Sequence, residues 1–470
     1  MAGMSSVGIG SGLDVQSIVS QLVALEKKPL DTLKLQATAT QAKISAFGQL
    51  KSLTSTLQDA ASKLASLTGW NGVKTSSSDA SITVSAIGGT KPNSLSVQIQ
   101  QLAKAQSQSS GLIPSDTAVG AGTLTLQLGT WSSDHATFTA GTTAAVSISV
   151  SASDTVADIA SKINGSATAG VTATVLSDAS GQRLLLRSKA TGEAAGFQLS
   201  VADSDGDSTD ASGLSRLVAG SGAGITEYGQ NAKATVNGAS VSSASNTFAN
   251  TVSGVTFTAT AVTTTAAQIE ITADTDAMQA NVEAFVKAYN DVNQLINSNT
   301  SYDAAAKLGG LLQGDSAAIT LQNTLRSALQ AVTANSSTFS RLSDIGVSVL
   351  QGGDLELDSS KLAKALENPD AASQLFRGSD TDLTDGFAEK FKAMTQKLLA
   401  TDGFFSTKDA SLQKAVKSNS DEQDKVNEKA TNLETRLNAR YAALDSQMAS
   451  LNALNAYVTQ QVTTWNKSTG

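Results

Sequence analysis

The spacing of apolar side chains divides the chain into two helical ends and a middle of different texture. Residues 13–68 and 404–469 carry apolar positions three and four apart, which is the period of one helix face. Asp14 precedes the first apolar run and is placed to accept from the free amides of a first helical turn. Pro29 interrupts the pattern, so it predicts a short helix over about 14–27 and a longer helix after it.

Both helical ends have the spacing of a coiled-coil seam. A continuous helix of roughly 60 residues after Phe404 would be ~90 Å long, and no compact domain buries such a rod along its whole length. We therefore expect the two ends either to pair with each other as a stalk or to pair with copies of themselves in an assembly. The residues predicted to form this assembly seam are Leu13, Ile18, Leu22, Leu25, Leu30, Leu33, Ile44, Phe47, Leu433, Leu437, Leu444, Met448, Leu451, Val458, Val462 and Trp465.

The middle of the chain, roughly residues 72–275, has short runs of Val, Thr, Ser and Ile that alternate with a period of two. Gly, Asn and Asp separate these runs, which is typical of half-buried antiparallel sheets. One helix is predicted among them at about 154–164, with Asp154 as its cap. The predicted strands are 81–87, 94–102, 123–128, 146–151, 171–176, 183–188, 197–202, 233–237, 252–260 and 268–272.

A further region with a helical pattern lies between the β-rich middle and the C-terminal rod. Apolar residues from Met278 to Ile296 follow one helix face, and helical stretches are predicted at about 315–333, 359–367 and 385–400. The fold predicted is α+β, with long terminal coiled-coil helices, a helical bundle and inserted antiparallel β-rich head domains. The expected domains are a coiled-coil leg (1–42 and 411–470), a bundle (43–77 and 275–410), a β-rich head (78–110 and 231–274) and a second, inserted β-rich head (111–230).

Composition removes most of the side chains on which enzymes depend. The chain has no cysteine and one histidine, and only 4% of its residues are aromatic. A cysteine nucleophile and a cysteine–histidine zinc site are excluded, and we expect no catalytic residue, metal or cofactor. The net charge of −8 argues against nucleic acid as a partner. No apolar run approaches the roughly 18 residues of a membrane span, so we expect no membrane insertion.

Three short segments have some features of chemical sites. An acidic run resembles the start of a calcium loop, but Ser208 and Leu214 stand where the EF-hand pattern requires Gly and Glu, so we interpret it as a solvated turn. The GIGSG run at 8–12 lacks the preceding strand and the following Lys of a phosphate loop. Nothing in the sequence identifies an acid or nucleophile partner for His135, which is predicted to be a surface residue. The acidic run consists of Asp203, Asp205, Asp207 and Asp210.

Several longer stretches together resemble the bacterial flagellar filament cap proteins, the hook-associated protein 2 family. Their order and spacing along the chain carry the resemblance more than any one stretch does. A further segment, TVADIASKINGSATAGVTATVL at 155–176, resembles a small motif in the heads of flagellar hook-associated proteins. The stretches are GSGLD at 10–14 with the helix after it, FVKAYN at 285–290, LQGDS at 312–316, LSDIGVSVLQGGDLELDSSKLAKAL at 342–366 and RYAALDSQMASLNALNAYVTQQV at 440–462.

The resemblance implies a structural protein and not an enzyme. Proteins of this family form a ring-shaped homo-oligomer at the distal tip of the filament, promote flagellin polymerisation and prevent loss of exported flagellin. The implied partners are copies of the chain itself, flagellin, hook–filament junction proteins and a flagellar export chaperone. The implied location is extracellular, at the flagellum tip, after export by the flagellar type III apparatus without a cleaved signal peptide.

Two other functions remain open. A hook–filament junction protein or a flagellin-like subunit would also enclose a variable middle between terminal coiled coils. An adhesin of another class would bind host glycans through the β-rich head, and aromatic platforms would be its signature. Trp131, Phe138 and Tyr228 are too sparse in the sequence to support such a platform.

Overall fold

The computed structural model describes residues 14–305, 307–330, 338–378 and 386–468. The chain divides into two compact units, of which one joins the two ends of the chain and the other is a single continuous segment. The chain ends, up to Trp70 and from Asp276 onward, form one unit, and Asn71–Thr275 form the other. The predicted α+β class, with long terminal helices and antiparallel sheets in the middle, is confirmed.

The helices follow the three-four spacing of the apolar residues. Asp14 caps the first one, because its Oδ1 accepts from the Ser17 amide at 3.0 Å. Pro29 occupies the first position of the second helix, where its missing amide hydrogen costs nothing. The helices are α1 (Val15–Lys27), α2 (Pro29–Ala65), α3 (Val156–Gly165), α4 (Thr275–Thr300), α5 (Ser316–Leu329), α6 (Ser359–Ala365), α7 (Pro369–Arg377), α8 (Phe387–Leu399) and α9 (Phe404–Ser468).

The strands are short, and those that pair do so in antiparallel fashion. Those of the middle unit are β1 (Val73–Ser77), β2 (Ile82–Ala86), β3 (Asn93–Gln101), β4 (Ser107–Ser109), β5 (Gly122–Trp131), β6 (Phe138–Ala140), β7 (Val146–Val150), β8 (Val171–Asp178), β9 (Gly181–Ser188), β10 (Gly196–Asp203), β11 (Gly224–Glu227), β12 (Ala232–Val236), β13 (Ala239–Ser243), β14 (Thr247–Val252), β15 (Val255–Ala259) and β16 (Ala267–Ala273). The unit of the chain ends adds the hairpins β17 (Tyr302–Asp303) with β18 (Leu308–Gly309), and β19 (Val347–Val349) with β20 (Leu355–Leu357).

Aromatic side chains form the centre of the unit of the chain ends. The rings of Phe285 on α4 and Phe391 on α8 meet edge to face at 5.2 Å, and Trp70 stacks on Phe376 at 5.2 Å. The indole nitrogen of Trp70 donates to the Leu64 carbonyl at 2.7 Å, so its one polar atom is satisfied inside the core. These contacts bring α2, α4, α7 and α8 together.

The middle unit consists of two β-rich heads. In the first, β1, β16, β3, β12 and β13 form one sheet in that order, and β14, β15 and β2 form a second sheet. One apolar core, which includes Val97, Phe248 and Phe257, lies between the strands of this head. In the second head, β11, β4, β9 and β8 form one sheet, while β10, β6 and β7 all pair with β5. The helix α3 contributes Ile159 and Ile163 to the core of the second head.

Strands with strong alternation of Val, Ile and Leu lie where the sequence predicts them. The predicted run 252–260 instead crosses a turn between β14 and β15, because Gly254 adopts a φ of +76°. Two strands fall outside the expected domain limits: β1, expected within the bundle, pairs with β16, and β4, expected within the first head, pairs with β9 and β11. Both are rich in Ser and Thr or Gln and carry little apolar pattern of their own.

The expected cap of α3 is wrong by one residue. Thr155 caps the helix, because its hydroxyl accepts from the Asp158 amide at 3.3 Å and the Asp158 carboxylate accepts from the Thr155 amide at 2.9 Å. Asp154 instead accepts from the Ser151 amide at 2.8 Å and forms an ion pair with Lys162. A Thr with an acidic residue three positions later forms a capping box, which satisfies two amides where Asp154 would satisfy one.

Candidate functional site

The first candidate surface is the face on which α1 packs against α9. Val15, Val19 and Val23 lie four residues apart and are buried against Ala430, with Leu437 and Tyr441 at the edge of the contact. The predicted seam of α1 lies on a neighbouring face: Ile18 is half-buried, whereas Leu22 and Leu25 are 39% and 57% exposed. Leu13, also predicted for the seam, lies outside the described residues.

The helix α2 also packs against α9, and four residues of the predicted seam lie on α2. Leu30 and Phe47 are buried, and Leu33 and Ile44 are half-buried. The Phe47 ring lies 6.3 Å from the ring of Phe404, at the first residue of α9. The chain ends therefore pair with each other over this length, as one of the two interpretations of the sequence expects.

A partly buried ion pair fixes the start of α9. The Lys408 ammonium lies 2.9 Å from Asp315 and 5.0 Å above the Phe47 ring, so it interacts with a carboxylate and with an aromatic face. Burial acts to raise the pKa of Asp315, but the bonds from Lys408 and from the Ala317 amide lower it below its ordinary value. Asp315 also caps α5, so three helices meet at one charged group.

From Leu433 onward, α9 keeps the apolar spacing but buries little of it. Leu433, Leu437 and Met448 are half-buried, Leu444 is 39% exposed, and every side chain from 449 to 466 is exposed. Leu451, Val458 and Val462 are about half exposed, and Trp465 is 73% exposed. With Asn455 between them, these positions alternate by three and four residues, which is the spacing of a coiled-coil seam.

An asparagine ladder on α4 was not anticipated from the sequence. Asn290 donates to the Leu355 carbonyl at 2.8 Å and accepts from the Leu355 amide at 2.6 Å. Asn293 and Asn297, on the same face, donate to the Gly352 carbonyl at 3.0 and 3.1 Å. The i, i+3, i+7 spacing is the only signal in the sequence, and it points to a helix face without revealing that the face holds the β19–β20 hairpin.

The acidic turn uses its carboxylates within the protein. Asp203 accepts from the Ser215 amide at 2.9 Å, and Asp207 accepts from the Thr209 amide at 2.9 Å. Burial raises the pKa of Asp203 while the amide bonds lower it more, so the net shift is downward. Among the described residues, no group of three His, Asp or Glu side chains is arranged to hold a metal ion. The GIGSG run at 8–12 lies outside the described residues.

Four ring-bearing residues in and beside the second head cluster together: Trp131, His135, Phe138 and Tyr228. The His135 and Tyr228 rings stack face to face at 3.7 Å, and Trp131 lies 5.7 Å from Tyr228 and 5.1 Å from Phe138. His135 covers a face of Tyr228, and the Trp131 indole nitrogen donates into the head, to Gln106 at 3.1 Å. Because the rings contact one another, they form a packed cluster and not an open platform for binding a glycan.

Within the described part of the chain, no helix is long and apolar enough to cross a membrane.

Tyr289, at the centre of the bundle, is fully buried, and burial raises its pKa to about 12. A phenol with so high a pKa stays neutral at physiological pH and is a poor proton donor there.

Comparison with known proteins points to one family over nearly the whole chain. The family models for the N-terminus and the C-terminus of flagellar hook-associated protein 2 match residues 11–106 and 229–453. The model of the flagellin hook IN motif matches residues 137–190, which include the segment 155–176 singled out in the sequence.

Individual relatives and a solved structure agree with the family models. The B-type flagellar hook-associated protein 2 of Pseudomonas aeruginosa is 30% identical over 492 residues, covering 98% of this chain and 96% of the relative. The flagellar hook-associated protein 2 of Escherichia coli K12 is 29% identical over 481 residues, covering 98% of both chains. The crystal structure of the D1-D2-D3 domains of the flagellar cap protein FliD from Escherichia coli has a TM-score of 0.62 and 27% identity, and the match covers 78% of this chain and 99% of that one.

Proposed function

Because the chain belongs to the flagellar hook-associated protein 2 family, we propose that it is the structural cap at the distal tip of the flagellar filament. In this proposal a ring-shaped homo-oligomer promotes flagellin polymerisation and prevents loss of exported flagellin. The family is one of structural flagellar cap proteins and not of enzymes. The proposed domains are the leg (1–42 and 411–470), the bundle (43–77 and 275–410), the head (78–110 and 231–274) and the inserted head (111–230). We move two strands across these limits: β1 joins the head, where it pairs with β16, and β4 joins the inserted head, where it pairs with β9 and β11.

The exposed end of α9 is the observation that carries the proposal. A helix with a coiled-coil stripe gains stability by burying that stripe, at about 25 cal/mol for each Å² of apolar surface. The positions from Leu451 to Trp465 leave their stripe exposed in the single chain. We infer that neighbouring subunits cover it, so that the leg is completed in the assembly.

The remaining parts of the proposal follow from the family. Flagellin and the hook–filament junction proteins are the proposed partners at the filament, and an export chaperone is the proposed partner before secretion. The proposed location is extracellular, at the flagellum tip, after export by the flagellar type III apparatus without cleavage of a signal peptide. A host glycan partner gains no support from the aromatic cluster, whose rings contact one another.

The test replaces apolar residues of the exposed α9 stripe in a strain that lacks its own copy of this gene. We expect the unaltered chain to restore filaments and to keep flagellin out of the medium. The double variant Leu451→Asp and Val458→Asp should release flagellin as monomer, because two charges per subunit would have to be buried in the assembly. Leu308→Asp is the matched control, since Leu308 is 67% exposed but belongs to β18 and not to the α9 stripe.

Two results would contradict the proposal. If the double variant, secreted at the normal level, restores filaments as well as the unaltered chain, the α9 stripe has no role in assembly. If the unaltered chain leaves flagellin in the medium, the protein is not a cap. If a variant is not secreted, ring assembly is tested with purified proteins instead. The proposal then predicts that the unaltered chain and the Leu308→Asp chain form rings and that the double variant does not.

A further inference from the structure

Two short segments connect the heads of the middle unit. The first head comprises residues 73–103 and 232–274, the second comprises residues 107–227, and the chain crosses between them at 104–106 and 228–231. The crossings are tied to each other, because the Lys104 amide donates to Gln230 at 2.9 Å and the Gln230 amide donates to Lys104 at 3.1 Å. Relative motion is nevertheless the usual expectation for domains that share a small interface.

Gln106, in the first crossing, makes several hydrogen bonds to the second head. It is fully buried, and its carboxamide pairs with Phe197 at the start of β10: Nε2 donates to the Phe197 carbonyl at 2.6 Å, and Oε1 accepts from the Phe197 amide at 2.9 Å. Its Oε1 also accepts from the Trp131 indole at 3.1 Å, and its backbone carbonyl accepts from Ser188 at 2.9 Å. One residue thus attaches the crossing to β5, β9 and β10.

The aromatic cluster holds the second crossing. Tyr228 lies in that crossing, whereas Trp131 and His135 belong to the second head. The Tyr228 ring has His135 on its face at 3.7 Å and Trp131 at its edge at 5.7 Å. Because Trp131 contacts both Gln106 and Tyr228, it links the two crossings through the second head.

The loop before β10 makes a third contact, with the first head and with the second crossing. Thr191 donates to the Ala244 carbonyl at 2.8 Å, and the Glu193 amide donates to Asn231 at 3.0 Å. Gly192, with a φ of +102°, leaves no room at this contact, since a Cβ there would come within 2.8 Å of the Ala244 oxygen. The second head is therefore held at three separate places.

We propose that Gln106, together with Trp131 and Tyr228, locks the two heads into one rigid body. Removing the Gln106 carboxamide would leave the Phe197 amide and carbonyl and the Trp131 indole without their buried partner. Water would then have to enter the joint to satisfy them, and the first crossing would be free to move. This conformational role is independent of the proposed cap function, because it concerns the single chain.

The absence of cysteine makes a direct test straightforward. Ser85→Cys on β2 of the first head and Ser161→Cys on α3 of the second head provide two exposed sites for spin labels in the full chain. Double electron–electron resonance then reports the distribution of the distance between the labels. We expect a single narrow distribution for the doubly labelled chain, and loss of that narrow peak when Gln106→Ala is added.

Gln127→Ala is the matched control, because Gln127 is a half-buried glutamine of the second head that lies outside the joint. It should leave the narrow distribution unchanged. Tyr228→Ala, which removes the half-buried ring of the second crossing, should also broaden the distribution, and it decides the outcome if Gln106→Ala does not fold. A broad distribution in the chain without joint substitutions would overturn the proposal, as would narrow distributions in folded Gln106→Ala or Tyr228→Ala chains.

Discussion

At the scale of single residues, three carboxamide side chains hydrogen-bond to the backbone of a strand in the way that a neighbouring strand would. Gln106 pairs with both backbone groups of Phe197, Asn164 pairs with both groups of Ala173, and Asn290 does the same at Leu355. A carboxamide offers one donor and one acceptor side by side, so it satisfies an edge strand as a neighbouring peptide would. It also blocks that edge against pairing with another chain.

The Asn290 pair gives a prediction about stability. Asn290→Ala removes both partners of the partly buried Leu355 backbone groups, and we expect it to lower the free energy of unfolding by about 1–3 kcal/mol. Urea denaturation of the full chain, followed by circular dichroism, measures the change. Asn427→Ala on the exposed surface of α9 is the control and should change stability by no more than about 0.5 kcal/mol. Equal effects of the two substitutions would contradict the structural role of Asn290.

Asp154 gives a prediction about pH. The bond from Lys162 and the bonds from Ser151 lower the pKa of Asp154 from 3.8 to about 2. A carboxyl group whose pKa is lower in the folded state contributes stability above its unfolded pKa and loses that contribution as pH falls through its folded pKa. We therefore expect Asp154→Asn to be less stable than the unaltered chain above pH 3.8, and the difference to disappear as the pH approaches 2.

Thermal unfolding at a series of pH values measures this difference. Glu193→Gln, which changes an exposed carboxylate of the same head, is the control and should follow the unaltered chain at each pH. A stability difference for Asp154→Asn that stays constant down to a pH of about 2 would show that the ion pair is not responsible.

The role of a single residue could be predicted from the sequence where its partner is a neighbour in the chain, but not where its partner is distant. Asp14 and Pro29 act on their own neighbours in the chain, so the start of α1 and its separation from α2 could be predicted. Asn290 and Gln106 act on Leu355 and Phe197, which are 65 and 91 residues away. No local pattern contains that pairing, because it exists only once both segments have folded.

At the scale of elements, the period of the apolar residues identified the long helices but not the face each one buries. The helix α1 has apolar residues on two adjacent faces, and the face with Val15, Val19 and Val23 packs against α9. The leucines chosen from the sequence, Leu22 and Leu25, remain exposed. Strands such as β6 and β13 were missed because their stability comes from pairing with neighbours, while their own residues are largely Ser, Thr and Ala.

The contrast between α4 and the end of α9 gives a prediction about local stability. Val282, Phe285 and Tyr289 of α4 are buried, whereas residues 449–466 of α9 bury none of their side chains. Ordering each residue costs about 1–2 kcal/mol of backbone entropy, and an exposed stripe provides little to offset it. Hydrogen exchange of dilute monomer should therefore be fast over 449–466 and slow over 278–296.

A substitution sharpens this prediction. Asn455→Leu supplies an apolar side chain at a polar seam position, so it should raise helix content and slow exchange over 449–466 once subunits associate. The exposed residue Asn427 serves as control, since Asn427→Leu lies outside the stripe and should leave exchange over 449–466 unchanged. Slow, cooperative protection of 449–466 in verified monomer would mean that the end of α9 is stable without neighbours.

At the scale of the whole molecule, the insertion of one unit into the other follows from the apolar patterns along the chain. Helical periods at both ends and period-two runs between them predict one unit built from the ends and another inserted into it, as the division at Trp70 and Thr275 has it. The lack of cysteine excludes a cysteine nucleophile and a cysteine–histidine zinc site, but composition does not identify a filament protein. That step came from motifs whose order matched a family, and the comparisons confirm the family.

The most direct test of the cap function is the position of the protein on the filament. An epitope inserted into the exposed turn after Asp205 can be labelled with gold in a strain that makes no untagged copy. We predict one cluster of label at the distal tip of each filament and none elsewhere. Label at the junction with the hook would identify a junction protein, and label along the filament would identify a flagellin-like subunit. Either result would contradict the proposed cap function.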